Sequence, residues 1–244
     1  MSTVIAYWNI LRKDIENYYL KPPNISWGII FPLSWTLMQL IRSSGNIEII
    51  ELLPGLMAMS ILFGTTSMLA VTITFEKRGR SFERLLIAPI SIGTLVWAKI
   101  SGAIVFGIIN AFVPLLLAAL LTTLEGINWI MVFMATLLIA ITSTMLGLMI
   151  AVSAKEVFEA QTMSNFFRFP MLFLCGLFIP LSQLPTVLRP ISYLLPLTYG
   201  TDLLNGAIRG SSMLNIYIDI LMLIFFAILL FYICHRNINR KWIR

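Results

Sequence analysis

Glu76, Lys77, Arg78, Arg80, Glu83 and Arg84 crowd into FEKRGRSFERLLIAPIS, residues 75–91, in a chain that elsewhere avoids charge. Acids and bases mixed this densely can set the register of a docked partner, or fix a segment on one side of a membrane. An apolar set runs through the same charges. Ser81 is placed to cap a short helix starting at Phe82, with Glu83 in a first turn that the helix dipole favours. Phe82, Leu85, Leu86 and Pro89 then fall at i, i+3, i+4 and i+7 on one face, and Glu83 and Arg84 point elsewhere. Two readings fit: a docking helix, or a stop-transfer flank that only fixes topology. Bond-making chemistry has little to work with. A membrane-embedded enzyme needs clustered His, Asp, Glu or Cys. This chain has one His, His235, and its two cysteines, Cys175 and Cys234, sit in separate apolar runs. No metal site and no disulfide framework are expected. No G-x-x-x-x-G-K-[ST] occurs either, so no backbone cradle for nucleotide phosphates is present.

Polar groups inside the apolar runs are few. Thr65, Thr66 and Ser67 form one cluster, and Thr142, Ser143 and Thr144 another. Such residues line a path, or they let helices approach and bond to their own backbone. Phe166, Phe167, Phe169 and Phe173 suit an amphiphilic cargo, or a lipid-facing aromatic belt. Asp219 is the one acid that enters a run near its outer end, as a functional group or as a plain helix cap.

The elements that must position these residues are transmembrane. The chain has 244 residues, 59% hydrophobic and only 11% charged, against about a quarter charged in a soluble domain. The natural solvent is lipid, and a span needs roughly 20 mainly apolar residues. Six spans are expected, at Ser26–Ile41, Leu52–Phe75, Ile92–Leu121, Trp129–Ser153, Phe166–Leu181 and Leu214–Cys234, the third free to tilt or to break at Pro114. With the N-terminus inside, Arg42, Arg189 and Arg209 are the only outer residues among the 17 Lys+Arg. That bias puts both termini and the charged stretch in the cytoplasm. It also explains the formal net charge of +6 without nucleic acid, which is not an expected partner. Residues 1–21 are not a span. Val4, Trp8, Leu11, Ile15 and Tyr18 cover one face and Asn9, Arg12, Lys13 and Glu16 the other. This suits a helix lying in the inner interface, or one packed on another protein. The same charges leave no cleavable signal pattern. The fold class is therefore an all-α polytopic membrane protein, a single transmembrane domain over residues 1–244.

Residues 76–91 resemble the signature of the ABC-2 family of transporter membrane subunits. Glu76, Ser81, Glu83, Arg84, Leu85, Leu86, Pro89 and Ser91 match it in order, although Arg80 stands where Gly is usual and Gly79 comes one residue early. FLCGLFIPLSQLPTVLRPISYLLPLTYGTDLLNGAIRG, residues 173–210, is similar to the same family's segment after the fifth span. Gly176, Phe178, Pro180, Leu184, Pro185, Leu188, Arg189, Pro196, Leu197, Tyr199, Asp202 and Arg209 fit, most clearly with the drug-exporter and nodulation-factor-exporter branch.

The resemblance implies the rest of the machine. Such subunits pair with a second copy or a similar permease in a prokaryotic cell membrane. Each binds a cytosolic ATP-binding cassette subunit, which carries the ATP and Mg; no cofactor is expected on this chain. Glu76, Ser81, Phe82, Glu83, Arg84, Leu85, Leu86 and Pro89 would form the surface that couples to that ATPase. Residues 176–210, with the outer re-entrant segment at 182–210, have their own physics: Pro180, Pro185, Pro190 and Pro196 divide a stretch too polar to span and too apolar to leave the lipid. They are expected to dip back as two short helices, about Leu184–Leu195 and Thr198–Ile208, or to lie as an interfacial loop. On the first reading Gly176, Pro180, Leu188, Tyr199 and Asp202 form an outer gate, with Asp202 and Arg209 stabilising the two ends of the second helix. Thr65, Thr66, Ser67, Thr142, Ser143 and Phe173 are the candidate pathway. The implied activity is outward movement of an amphiphile, whether drug, lipid or lipid-linked glycan. The rival is an ion-coupled carrier, which needs ionisable groups near the midplane and broken-helix repeats; neither is evident.

Overall fold

The computed structural model describes residues 3–19, 21, 25–42, 49–88 and 90–241, and every regular element among them is helical. In chain order, α1 (Thr3–Asp14) runs on into a π-helical turn at Ile15–Tyr19. A second π-helical turn, Ser26–Ile30, leads into α2 (Phe31–Arg42), and then come α3 (Ile49–Arg78), α4 (Ser81–Ile87), α5 (Ile92–Leu121) and α6 (Trp129–Ser153). After α7 (Val157–Leu174) a 3-10 turn at Leu181–Gln183 precedes α8 (Arg189–Tyr193), α9 (Pro196–Arg209) and α10 (Ile216–Lys241).

Among the described residues four helices are long and apolar enough to cross a membrane: Ile49–Arg78, Ile92–Leu121, Trp129–Ser153 and Ile216–Ile238 within α10. The first expected span is also helical, in two pieces, from Ser26 through α2. The fifth differs in its bounds. It starts at Val157 rather than Phe166, and it stops at Leu174 because Gly176 takes φ +77° and turns the chain away. Pro114 does not break α5, and Pro54 and Pro170 likewise lie inside continuous α3 and α7. Neighbouring helices stabilise such positions when the segment is surrounded by protein.

α3 is apolar all round and becomes the central rod. Every residue from Leu53 to Ala70 is buried, and α3 packs against α5, α6, α7 and α9. The outer helices leave their apolar faces uncovered. Val105, Ile109, Leu116 and Leu120 on α5, and Leu221, Phe225, Ile228 and Tyr232 on α10, are exposed. Faces of this kind are stable only where the solvent is hydrocarbon.

Lipid supplies no hydrophobic push between helices, so close backbone approach matters more. At Gly147 a Cβ would lie 2.9 Å from the Thr66 carbonyl oxygen and 3.1 Å from its Cα. Backbone cannot swing aside there, so Gly147→Ala is expected to destabilise the chain by about 1–3 kcal/mol through overpacking. Gly93→Ala is the control, because its Cβ would meet only Ser91 Oγ at 3.7 Å. Thermal unfolding of the detergent-purified chain checks this; equal melting temperatures for the two variants would refute the packing assignment.

Candidate functional site

Four charges meet where α1, the C-terminal end of α3 and the first turns of α5 converge. Lys99 Nζ lies 2.9 Å from Asp14 Oδ2 and 2.8 Å from Glu76 Oε2. Lys13 Nζ lies 2.5 Å from Glu76 Oε1 and 3.6 Å from Asp14 Oδ1. Asp14, Glu76 and Lys99 are buried, and Lys13 closes the cluster from the surface. Two acids balance two bases, which is what makes burial tolerable. Burial is the largest influence on Asp14 and pushes its carboxyl above the ordinary range, while Lys99 pulls it back. Nearby, the hydroxyls of Tyr7 and Ser101 hydrogen-bond at 2.5 Å, and Lys77 Nζ donates to the Ala151 carbonyl at 2.7 Å. α1 thus lies against α5, fastened by charge as well as by Ala6 and Ile10, while Val4, Ile5 and Trp8 face outward. Sequence reading missed the cluster. Lys99 reads as one more inner basic residue, and nothing in the pattern pairs it with an acid 85 residues earlier.

Residues 76–91 hold a short helix, as expected, but its faces are turned. Phe82 is buried inside this chain, in a cluster with Ile73, Leu95 and Met145, and Leu85 packs beside it. The exposed residues of α4 are Glu83, Arg84 and Ile87, Ile87 at 83%. Phe82 therefore anchors α4 to its own bundle, and an outside partner meets the charges and Ile87. The side chain of Leu86, and Pro89 altogether, lie outside the described residues. The expected cap at Ser81 is not formed. Arg80 occupies the N-cap at φ 54° without a side-chain cap, and Ser81 Oγ donates to the Glu76 carbonyl at 3.2 Å. That left-handed backbone is what glycine adopts without penalty. It falls where the resembling family usually has Gly.

The candidate pathway residues separate. Thr65, Thr66, Thr142 and Ser143 are buried in helix packing. Thr65 Oγ1 donates to the Ile61 carbonyl at 2.8 Å, Thr142 Oγ1 to Leu138 at 2.9 Å, and Thr66 Oγ1 across to Ser143 at 3.4 Å. Ser67 instead accepts from Arg168 Nη2. Phe173 faces outward, 51% exposed, on the same side of α7 as Phe166 and Phe169. Arg168 itself, expected near the inner surface, is fully buried midway along α7.

The two helices expected after α7 become a 3-10 turn, α8 and α9. Pro190 lies in the first turn of α8 and Pro196 in that of α9, positions that cost proline nothing because those N–H groups have no intrahelical acceptor. α9 is mostly buried against α3, α6 and α10. Side chains sew the segment to itself. Thr201 Oγ1 donates to the Cys175 carbonyl at 2.5 Å, Tyr199 OH to Tyr193 at 2.8 Å, and Arg189 Nη2 to Ser182 at 2.6 Å. Asp202 does not serve the start of its own helix. It accepts from the backbone N–H groups of Met213 at 2.9 Å and Leu214 at 2.8 Å, fixing the approach to α10. Arg209 does sit in the last turn of α9. A cavity of about 470 Å³ opens here, lined by Glu51, Gly176, Pro180, Asp202 and Arg209 among others. Leu188 is half-buried at the start of α8, away from that lining. Asp219 is buried in the first turn of α10, where the helix dipole favours an acid. His235 stacks on Phe231, with ring centroids 6.3 Å apart. Among the described residues no three His, Cys, Asp or Glu side chains gather as metal ligands.

The family model for the ABC-2 type transporter matches residues 5–209. The chain is 23% identical to the "Inner membrane transport permease YadH" of Escherichia coli K12, covering 97% of this chain and 95% of that one. It is 28% identical to "Nodulation protein J" of Bradyrhizobium diazoefficiens, covering 83% and 78%. For "Nodulation protein J" of Sinorhizobium fredii NGR234 the figures are 25%, 82% and 77%.

The inner cluster predicts non-additive energetics. Glu76→Leu leaves Lys99 and Lys13 sharing one acid, and breaking a buried pair this way costs about 3–5 kcal/mol. Lys99→Met leaves two acids against Lys13 and is expected to cost a similar amount. Together the two changes leave the balanced pair Lys13 and Asp14, so the double variant is expected to melt above either single one. Thermal unfolding of the three purified variants checks this, and simply additive losses would show that the charges act independently.

Proposed function

This chain belongs to the ABC-2 type transporter family, and on that premise we propose that it is the permease subunit of an ATP-driven exporter whose ATPase is a separate polypeptide. It is a multi-pass membrane protein of transport-permease type. One observation carries the proposal: the family match runs through both the inner charged segment and the outer proline-rich segment, in a sequence without a phosphate-binding glycine loop. We read six crossings, the four long helices plus Ser26–Arg42 and α7. Both ends of the chain, residues 77–84 and residues 155–159 then lie in the cytoplasm, as the basic bias demands. The cargo is an amphiphile moved outward, and the exposed phenylalanines of α7 suit an apolar tail or a second permease copy. ATP and Mg belong to the partner.

α4 is the coupling element. Its exposed Glu83, Arg84 and Ile87 face the ATPase, with Ile87 as the apolar anchor and the charges setting register. Its buried Phe82 passes movement on to the bundle. The ion-coupled carrier gains nothing from Arg168, because a guanidinium stays protonated and cannot carry a proton through a cycle.

Four measurements test this reading. Ile87→Asp is expected to weaken the complex by more than about 1 kcal/mol, seen as reduced co-purification of the ATPase. Phe82→Ala is expected to lower the melting temperature of the chain itself by a cavity cost of about 3–5 kcal/mol. Glu83→Lys is expected to leave ATP hydrolysis running while export falls. Normal export and co-purification with both Ile87→Asp and Glu83→Lys would remove α4 from the coupling path. For topology, a single cysteine at position 78, with Cys175 and Cys234 replaced, is expected to resist impermeant maleimide in sealed cells; strong labelling would invert the orientation.

A further inference from the structure

Arg168 is one of the largest fully buried side chains in the molecule. Its Nη2 donates to Ser67 Oγ, and its charge lies 4.9 Å from the centroid of the Phe63 ring. Nε and Nη1 have no partner. Ion pairs among the described residues are confined to Arg12–Glu16 and to the four-charge cluster, so no carboxylate neutralises it. Its depth follows from the two helices that hold it. Ser67 lies nine residues before Glu76, and Arg168 nine residues after Glu159. At about 1.5 Å per residue, each is about 14 Å from the acid that marks the cytoplasmic end of its span, close to half of a hydrocarbon core roughly 30 Å thick.

A permanent cation at that depth needs an anion. One hydroxyl and one aromatic face are neutral acceptors and leave the charge uncompensated. Nη2 gives one of its two N–H groups to Ser67, and the other N–H groups of the guanidinium are unpaired, so one edge of it is an unoccupied fork. The two oxygens of a phosphate or carboxylate fit such a fork bidentately, more strongly than a hydroxyl does. An approach lies beside it. Phe166 and Phe169 are exposed on the outer face of α7, at 73% and 42%. The Phe169 ring meets Phe63 edge-on, with centroids 6.5 Å apart, and Phe63 is the ring beneath the guanidinium. An aromatic wall thus runs from the exposed face of α7 to the buried charge.

We propose that Arg168 recognises the head of the cargo, and that the cargo is an amphiphile carrying a phosphate or carboxylate group. This rests on the permease reading and names its substrate class. In the cargo-free chain Ser67 and Phe63 hold the guanidinium. The arriving oxyanion takes over from Ser67, while the apolar tail lies along Phe169 and Phe166.

The test uses the full chain in phosphatidylcholine nanodiscs, with thermal unfolding followed by tryptophan fluorescence. Dodecyl phosphate is the probe; dodecanol, dodecyltrimethylammonium and inorganic phosphate are the comparators. Dodecyl phosphate alone is expected to raise the melting temperature of the parent chain. Arg168→Met is expected to need at least tenfold more dodecyl phosphate for half of that shift. Without ligand it is expected to melt no lower than the parent, since it removes an unpaired buried charge. Arg168→Lys keeps the charge without the fork and is expected to retain the anion preference with a weaker response. Three results would overturn the proposal: an Arg168→Met chain that responds as the parent does, one that melts lower or fails to accumulate, which marks the charge as structural, or a parent stabilised equally by inorganic phosphate, which marks an adventitious ion only. None of these depends on the ATPase, so co-purification with that partner judges the permease reading separately.

Discussion

The chain is organised by the charge cluster at the C-terminal end of α3. Glu76 stands at the end of the most buried helix, and Lys99 and Lys13 bind it from α5 and α1. Three segments that lipid would let slide past one another are held in one register there. A buried cluster of this kind adds little net stability over apolar packing, but it punishes every arrangement that separates its members. It therefore selects one placement of α1 on the bundle, and with it the start of α4, whose Ser81 hydroxyl bonds the carbonyl of Glu76 itself.

From that fixed end, α3 carries the same constraint to the other side. Its outer half meets the segment after α7 at backbone distance. A Cβ at Gly55 would lie 2.5 Å from the Leu177 carbonyl oxygen. Gly55 and Glu76 are 21 residues apart on one continuous helix, about 32 Å at a rise of about 1.5 Å. The inner charges and the outer segment are thus ends of one rod. α9 is packed on that rod and also tied to the loop before α10 through Asp202. If α4 is the coupling element proposed above, movement imposed on it would reach α3 at Phe82 and Glu76, and α3 has no break along which to absorb it, Pro54 included.

Much of this was legible in the sequence because lipid writes plainly: long apolar runs became α3, α5, α6 and α10, and the proline-rich segment became short pieces. What was not legible depended on rotation and depth. The Phe82 stripe was visible, but periodicity cannot say whether a stripe faces a partner or its own bundle, and α4 folds back so that Phe82 is covered. Arg80 reads as one charge among several, although its backbone is the feature that departs from ordinary geometry. Ser81 looks like a cap, but Arg80 takes the N-cap position and the Ser81 hydroxyl turns back to the Glu76 carbonyl. Lys99 and Arg168 read as two more basic residues on the inner side, since a window of composition cannot see an acid 85 residues away, or the absence of one.

The two buried basic sites differ in the one respect that separates structure from function. Around Lys99 every charge has an opposite charge within 4 Å, contributed by elements of the same chain. Such a site is complete, and its burial explains itself. Around Arg168 the described residues supply a hydroxyl and an aromatic ring and nothing anionic. A packing role there would be filled as well by methionine, which has similar reach and no desolvation penalty. The arginine adds only what methionine lacks, a fixed positive fork in a place without water. Paired charge at the membrane edge holds α1, α3 and α5 in register, and unpaired charge at the membrane centre is left for a ligand that brings its own counter-charge.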